Sequence, residues 1–141
     1  MNKYLKTIYK LFLSLCIICV MPNTLGATQE IQSLQQLQQI QKEHPVVLLF
    51  TADWCPICQR IKEPFHKISK NKNFTDIRFI IVDVETGNQI ARKYKINSIP
   101  HIKYIQKGTG NIVAEKIGAK DNQIFKKSVS SDIEKHLQNS K

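Results

Sequence analysis

Val46-Val47-Leu48-Leu49-Phe50-Thr51-Ala52-Asp53-Trp54-Cys55-Pro56-Ile57-Cys58 decides how this chain is read. The apolar run Val46–Phe50 has the length and composition of a buried strand. After it, Ile57, Ile61, Phe65 and Ile68 fall on one helical face, with Arg60, Lys62 and Lys67 elsewhere. Pro56 lies in the first turn of that helix, where a missing N–H costs nothing, whereas Pro64 is internal and predicts a kink. A strand running straight into a helix places Cys55 at the helix N-terminus. There the unpaired backbone N–H groups and the positive end of the macrodipole stabilise an anion. The thiolate is the nucleophilic form of cysteine, and such a position lowers its pKa below the free value of about 8.5. Cys58, one turn on, faces the same way and can close a disulfide with Cys55. The spacing points to reversible dithiol chemistry.

Upstream, Lys3, Lys6 and Lys10 precede an uncharged apolar run from Leu11 to Met21, and Thr24-Leu25-Gly26-Ala27 follows with small residues. A basic start, a short apolar middle and a small-residue exit predict a secretory signal over residues 1–26, leaving a domain over 27–141. The run falls short of the roughly 20 residues that span a bilayer. An uncleaved anchor is the alternative, because Tyr4, Leu5, Ile8 and Tyr9 extend the apolar character. Cys16 and Cys19 lie inside the run and read as apolar filler lost with the signal. Export would place the domain where disulfides persist, in a periplasmic or similar compartment. Only Cys55 and Cys58 then remain, and one close pair cannot build a structural disulfide framework.

The 141 residues suffice for one domain, and 42% hydrophobic residues suffice for one core. Without Lys3, Lys6 and Lys10 the formal net charge falls from +10 to +7. The remaining basic residues are scattered, as in Lys67, Lys70, Lys72 and Lys126-Lys127. That pattern reads as a solvated lysine-rich surface, and no nucleic-acid motif accompanies it.

Along the mature chain, Ile31, Leu34, Leu37 and Ile40 predict a helix over Thr28–Glu43, although a repeat of three drifts from the helical period. His44-Pro45 stops it. Ile77–Val84 reads as a second strand, Asn88–Lys95 as a short helix and His101–Gln106 as a third strand. Lys107-Gly108-Thr109-Gly110-Asn111 is a turn, and Ile112–Ile117 pairs as the hairpin partner. Asp121–Gln138 closes the chain as a helix. The order αβαβαββα predicts a mixed central sheet with helices on both faces.

That order, with Trp54-Cys55-Pro56-Ile57-Cys58 at the first strand–helix junction, resembles the thioredoxin superfamily over about Gln29 to Gln138. Ile99-Pro100 falls where the family carries a cis-proline, and Gly118-Ala119 where many members have a glycine near the last strand. The resemblance implies a thiol–disulfide oxidoreductase acting on protein disulfides. Cys55 would be the attacking thiol and Cys58 the resolving one. Trp54, Pro56, Ile57, Ile99 and Pro100 would support the site or bind substrate. It implies no cofactor, a membrane redox partner and a monomer.

Two departures stand out. Where thioredoxin has a buried aspartate this chain has Leu49, and the lysine usually paired with it aligns with Ile81. Glu63 and His101 are the remaining candidates for assisting deprotonation of Cys58. Pro56-Ile57 resembles the Cys-Pro-x-Cys of glutaredoxins and of the exported oxidant DsbA, whereas Ile99 before the proline is thioredoxin-like; reduction or exchange is the favoured direction. Two other readings remain: a metal site using Cys55, Cys58 and a histidine, and a non-catalytic binding module on the same scaffold. His44, His66, His101 and His136 are too dispersed for ligand spacing, so no metal is assigned.

Overall fold

In the computed structural model, which describes residues 27–138, the elements in chain order are β1 (Gln29–Glu30), α1 (Leu34–Glu43), β2 (Val46–Thr51), α2 (Pro56–Ser69) and β3 (Arg78–Asp83). These are followed by α3 (Asn88–Lys93), β4 (His101–Ile105), β5 (Ile112–Ile117) and α4 (Asn122–Ile133). A 3₁₀ turn, Lys72–Phe74, precedes β3, and a π turn, Glu134–Gln138, extends α4. The signal expected over residues 1–26, with Cys16 and Cys19, lies outside the described residues.

The five strands lie in the order β1-β3-β2-β4-β5. β2 pairs in parallel with β3, from Val46 opposite Arg78 to Thr51 opposite Asp83. Its other edge pairs antiparallel with β4, from Val46 opposite Ile105 to Phe50 opposite His101. Both faces of this central strand are covered, so all six of its residues are buried. That is why its sequence is continuously apolar rather than alternating. Val47 and Leu49 pack with Ile61 and Phe65 of α2 and with Phe125 and Val129 of α4. Leu48 and Phe50, on the opposite face, pack with Leu37 of α1 and Ile90 of α3. A buried polar contact ties that second face together: Gln41 Nε2 donates to the Tyr94 hydroxyl at 2.6 Å. The thioredoxin-like fold anticipated from the element order is the fold observed.

Two boundaries differ from the pattern in the sequence. The helix expected from Thr28 begins only at Leu34, because the residues before it join the sheet. Gln29 and Glu30 pair with Ile80 and Ile81, and Ile31 N–H donates to Ile81 O at 3.2 Å. Ile31 therefore enters the core as a strand-end residue, and the Ser33 hydroxyl caps the helix by accepting from Gln36 N–H. The drift of the three-residue repeat has this cause: its first member is not helical. At the other end, Asp121 is the cap of α4, its Oδ1 accepting from Gln123 N–H (2.7 Å) and Ile124 N–H (3.2 Å). α2 continues through Pro64, which is buried against the core.

Phe79 lies between two rings, with centroids 5.4 Å from Phe65 and 6.4 Å from Phe74. Phe79→Ala should cost about 3–5 kcal/mol, the range for truncating a buried aromatic. Urea unfolding followed by circular dichroism measures it, and a loss below about 1 kcal/mol would mean the site collapses around the gap.

Candidate active site

The chain leaves β2 at Thr51, turns through Ala52–Trp54 and enters α2 at Pro56, so Cys55 is the N-cap of the helix. Its backbone is extended (φ −95°, ψ 102°), as a cap requires. Cys55 N–H donates to Ala52 O at 3.2 Å, and the Cys58 N–H points at Cys55 Sγ at 3.3 Å. A cap normally offers oxygen to these free N–H groups; here sulfur takes that place, and a thiolate would be held more strongly than the neutral form. Pro56 at the first helical position has no N–H to leave unpaired. Cys55 and Cys58 are joined in a disulfide, with Cα atoms 5.2 Å apart. Cys55 retains 5% exposure and Cys58 none.

The residues the sequence singled out converge here. Ala52, Cys55 and Cys58 form a small apolar cluster against which Ile57, Ile99 and Val84 pack. The Ile99–Pro100 peptide is cis. Pro100 O accepts from Gly118 N–H at 2.8 Å, and Gly118 takes a positive φ of 75°, which explains a glycine at that point. Trp54 is 65% exposed, and its indole N–H donates to Glu85 Oε1 at 3.3 Å. Gln59 Nε2 braces the loop by donating to Ala52 O at 3.1 Å. Lys62 lies 3.6 Å from Asp53.

Glu63 and His101, the two expected helpers of Cys58, are not brought to it. Glu63 is on the outer face of α2, paired with Lys67 at 2.6 Å, and that contact holds its carboxyl below the usual range. His101 shares a face with Phe50, on the side of the sheet away from α2. It lies 3.1 Å from Glu115 Oε2, which also receives the Lys103 ammonium. Among the described residues no three His, Cys, Asp or Glu side chains come together as a metal site. Glu85, Val84 and the Lys103–Glu115 pair beside His101 were not foreseen, because their placement follows from strand order and register rather than local spacing.

Residues 28–131 match the family model described as Thioredoxin. The chain belongs to the thioredoxin family. It is 32% identical over 100 residues to Thioredoxin H5 of Arabidopsis thaliana, covering 71% of this chain and 81% of that protein. Among solved structures, Malassezia sympodialis thioredoxin superposes with a TM-score of 0.68 at 28% identity, covering 79% of this chain and 91% of that one. Reduced Schistosoma mansoni thioredoxin gives 0.64 at 30% identity, covering 79% and 99%. With its close cysteine pair, this thioredoxin-family chain is a thiol–disulfide oxidoreductase.

Burial pushes the His101 imidazole below its ordinary value of 6.5, and nearby Lys103 adds to this, although the hydrogen bond with Glu115 opposes it. Burial and Arg78 lower His44 in the same way. Below pH 6.5 the unfolded chain therefore binds more protons at these sites than the folded one. Their contribution is complete above pH 6.5 and is lost as pH falls through the lowered folded values. Hydrogen bonds from Lys103 and His101 lower Glu115, and its contribution disappears only under more acidic conditions, below its ordinary 4.5. Urea midpoints should thus decline as pH falls below about 6.5, less steeply in His101→Gln. An unchanged slope in that variant would remove His101 as a source.

Proposed function

We propose that this chain is an exported thioredoxin-type protein that reduces or exchanges protein disulfides outside the cytosol, with Cys55 attacking and Cys58 resolving. The observation that carries this division of roles is the difference in burial: Cys55, at the helix cap, keeps a small exposed area (5%), whereas Cys58 keeps none. A substrate disulfide meets the Cys55 thiolate first and forms a mixed disulfide. Cys58 sulfur then attacks Cys55 Sγ, the substrate leaves as a thiolate, and the Cys55–Cys58 disulfide remains.

The surroundings support a polypeptide substrate. Trp54 and Ile117 are exposed apolar side chains, 65% and 59% accessible, and Ile57 and Ile99 are half-buried between the dithiol and solvent. An extended segment could lie across this rim and pair with the Ile99 backbone, as strands added to a chain edge do. Pro56 fixes the start of α2 without occupying the thiolate.

Export rests on the pattern of residues 1–26, with a retained membrane tether as its variant. A reductant outside the cytosol needs electrons delivered across a membrane, so a membrane redox partner follows, with the protein itself a monomer. Reduction or exchange is favoured over oxidation by Ile99 ahead of Pro100, against the pull of Pro56-Ile57.

Equilibration with a thiol redox buffer tests the direction. The potential should lie nearer to about −270 mV than to about −120 mV; a value at the oxidising end would reverse the assignment. In an insulin-reduction assay, Cys55→Ser should abolish turnover, and retained turnover would end the proposal. Cys58→Ser should react once and hold substrate as a mixed disulfide visible on non-reducing gels.

A further inference from the structure

Among the described residues, two buried side-chain polar atoms have no hydrogen-bond partner: Thr51 Oγ1 and His101 Nδ1. Both sit at the dithiol end of the sheet, Thr51 as the last residue of β2 and His101 as the first of β4. Buried polar groups are nearly always paired, and the exceptions call for an explanation such as a catalytic role. The two lie on opposite faces. His101 has its other ring nitrogen engaged with Glu115. Thr51 is completely buried and its hydroxyl makes no hydrogen bond at all.

Alternation along β2 puts Thr51 on the same face as Val47 and Leu49, the face that α2 covers. α2 begins just past the end of β2 and runs back along it, so its first turn overlies the strand end. The inward residue of that turn is Cys58, which is also fully buried. The adjoining positions on that face are Leu49 and Ile81, neither of them able to hydrogen-bond through its side chain. Asp83, opposite Thr51 in register, turns its Oδ1 to the N–H groups of Glu85 (2.8 Å) and Thr86 (3.1 Å). Thr51 thus brings the one side-chain hydroxyl of β2 to the face that the first turn of α2 overlies.

We infer that the Thr51 hydroxyl is held in reserve for the reduced state, donating a hydrogen bond to Cys58 sulfur once the disulfide opens. This rests on the exchange reading above. In the resolving step the Cys58 thiol gives its proton to solvent, and the Thr51 O–H donates to the resulting thiolate without losing its own proton. The thiolate pair forms the bond to Cys55 Sγ as the Cys55–substrate S–S bond breaks, and the electron pair leaves on the substrate sulfur. The protein dithiol is oxidised and the substrate disulfide reduced. In the closed disulfide the hydroxyl meets neither sulfur; opening the bond gives Cys58 sulfur the freedom to move and the charge that makes it a strong acceptor.

The test is stopped-flow mixing of the reduced full chain with 5,5′-dithiobis(2-nitrobenzoate), across pH. Attack by Cys55 releases one coloured thiolate, and resolution by Cys58 releases a second. Thr51→Val, which keeps the shape, should slow the second phase about tenfold, the scale of one hydrogen bond to a charged group. Its pH midpoint should rise while the first phase is unchanged, and Thr51→Ser should restore both. The oxidised Thr51→Val protein should melt no lower than the unsubstituted one, since it has lost an unpaired polar atom. An unaltered second phase in Thr51→Val overturns the inference. So does a Thr51→Ser protein as slow as Thr51→Val with a lowered melting temperature, which would mark a packing role. If the unsubstituted protein shows only the first phase, the exchange reading itself falls.

Discussion

Everything about this site depends on β2 being buried on both faces and ending at one fixed place. A central strand covered by α1 and α3 on one side and α2 and α4 on the other cannot slide by a residue. A one-residue slip would turn Val47 and Leu49 toward the wrong core and Leu48 and Phe50 toward the other. The register with β3 and β4 therefore fixes where Thr51 ends, and the short turn fixes Cys55 as the helix cap. The chemistry is set by backbone position before any ionisable side chain contributes. Free N–H groups at a helix start supply the electrostatic bias that a neighbouring cation supplies elsewhere.

The polar groups around the dithiol are distributed unevenly. On the outer side, Trp54 is anchored by Glu85, and Asp53 lies near Lys62. These exposed contacts hold the loop in place more than they stabilise the fold, since surface pairs contribute little. On the sheet face away from α2, His101 and Lys103 share one carboxylate oxygen of Glu115. Cys58 lies in a small apolar cluster with Ala52 and Cys55, packed by Ile57, Val84 and Ile99. In such surroundings Cys55 sits at the helix start while Cys58 is fully covered, so the two sulfurs of one redox couple have different environments.

Much of this was legible in the sequence, for identifiable reasons. The continuous apolar run of Val46–Phe50 signals a doubly covered strand, and Cys-Pro-x-Cys directly after it locates the cap without coordinates. Ile99-Pro100 and Gly118, distant in sequence, gained meaning only through the resemblance, and the structure joins them by the Gly118–Pro100 hydrogen bond. The start of α1 was misread because Ile31 has the right spacing for a helix but belongs to a strand end. Glu63 and His101 looked equivalent as proton acceptors on composition. Sheet faces and helix faces separate them from Cys58, and a one-dimensional pattern carries no such information across elements. Thr51 escaped notice because a threonine at a strand end is ordinary until its hydroxyl proves to have no partner.

The two outer strands are unlike each other. β1 has only two residues and β5 has six, with Glu115 and Lys116 at its middle and a register irregularity where its partner strand passes Tyr104 and Ile105. Open strand edges are templates for unwanted pairing between molecules, and brevity, charge and irregular pairing each blunt that tendency. One border of this sheet is too short to template a neighbour, and the other carries charge beside its exposed Ile112 and Ile117. The fold can thus leave apolar side chains at the dithiol end in contact with solvent while giving a passing chain little continuous edge on which to aggregate.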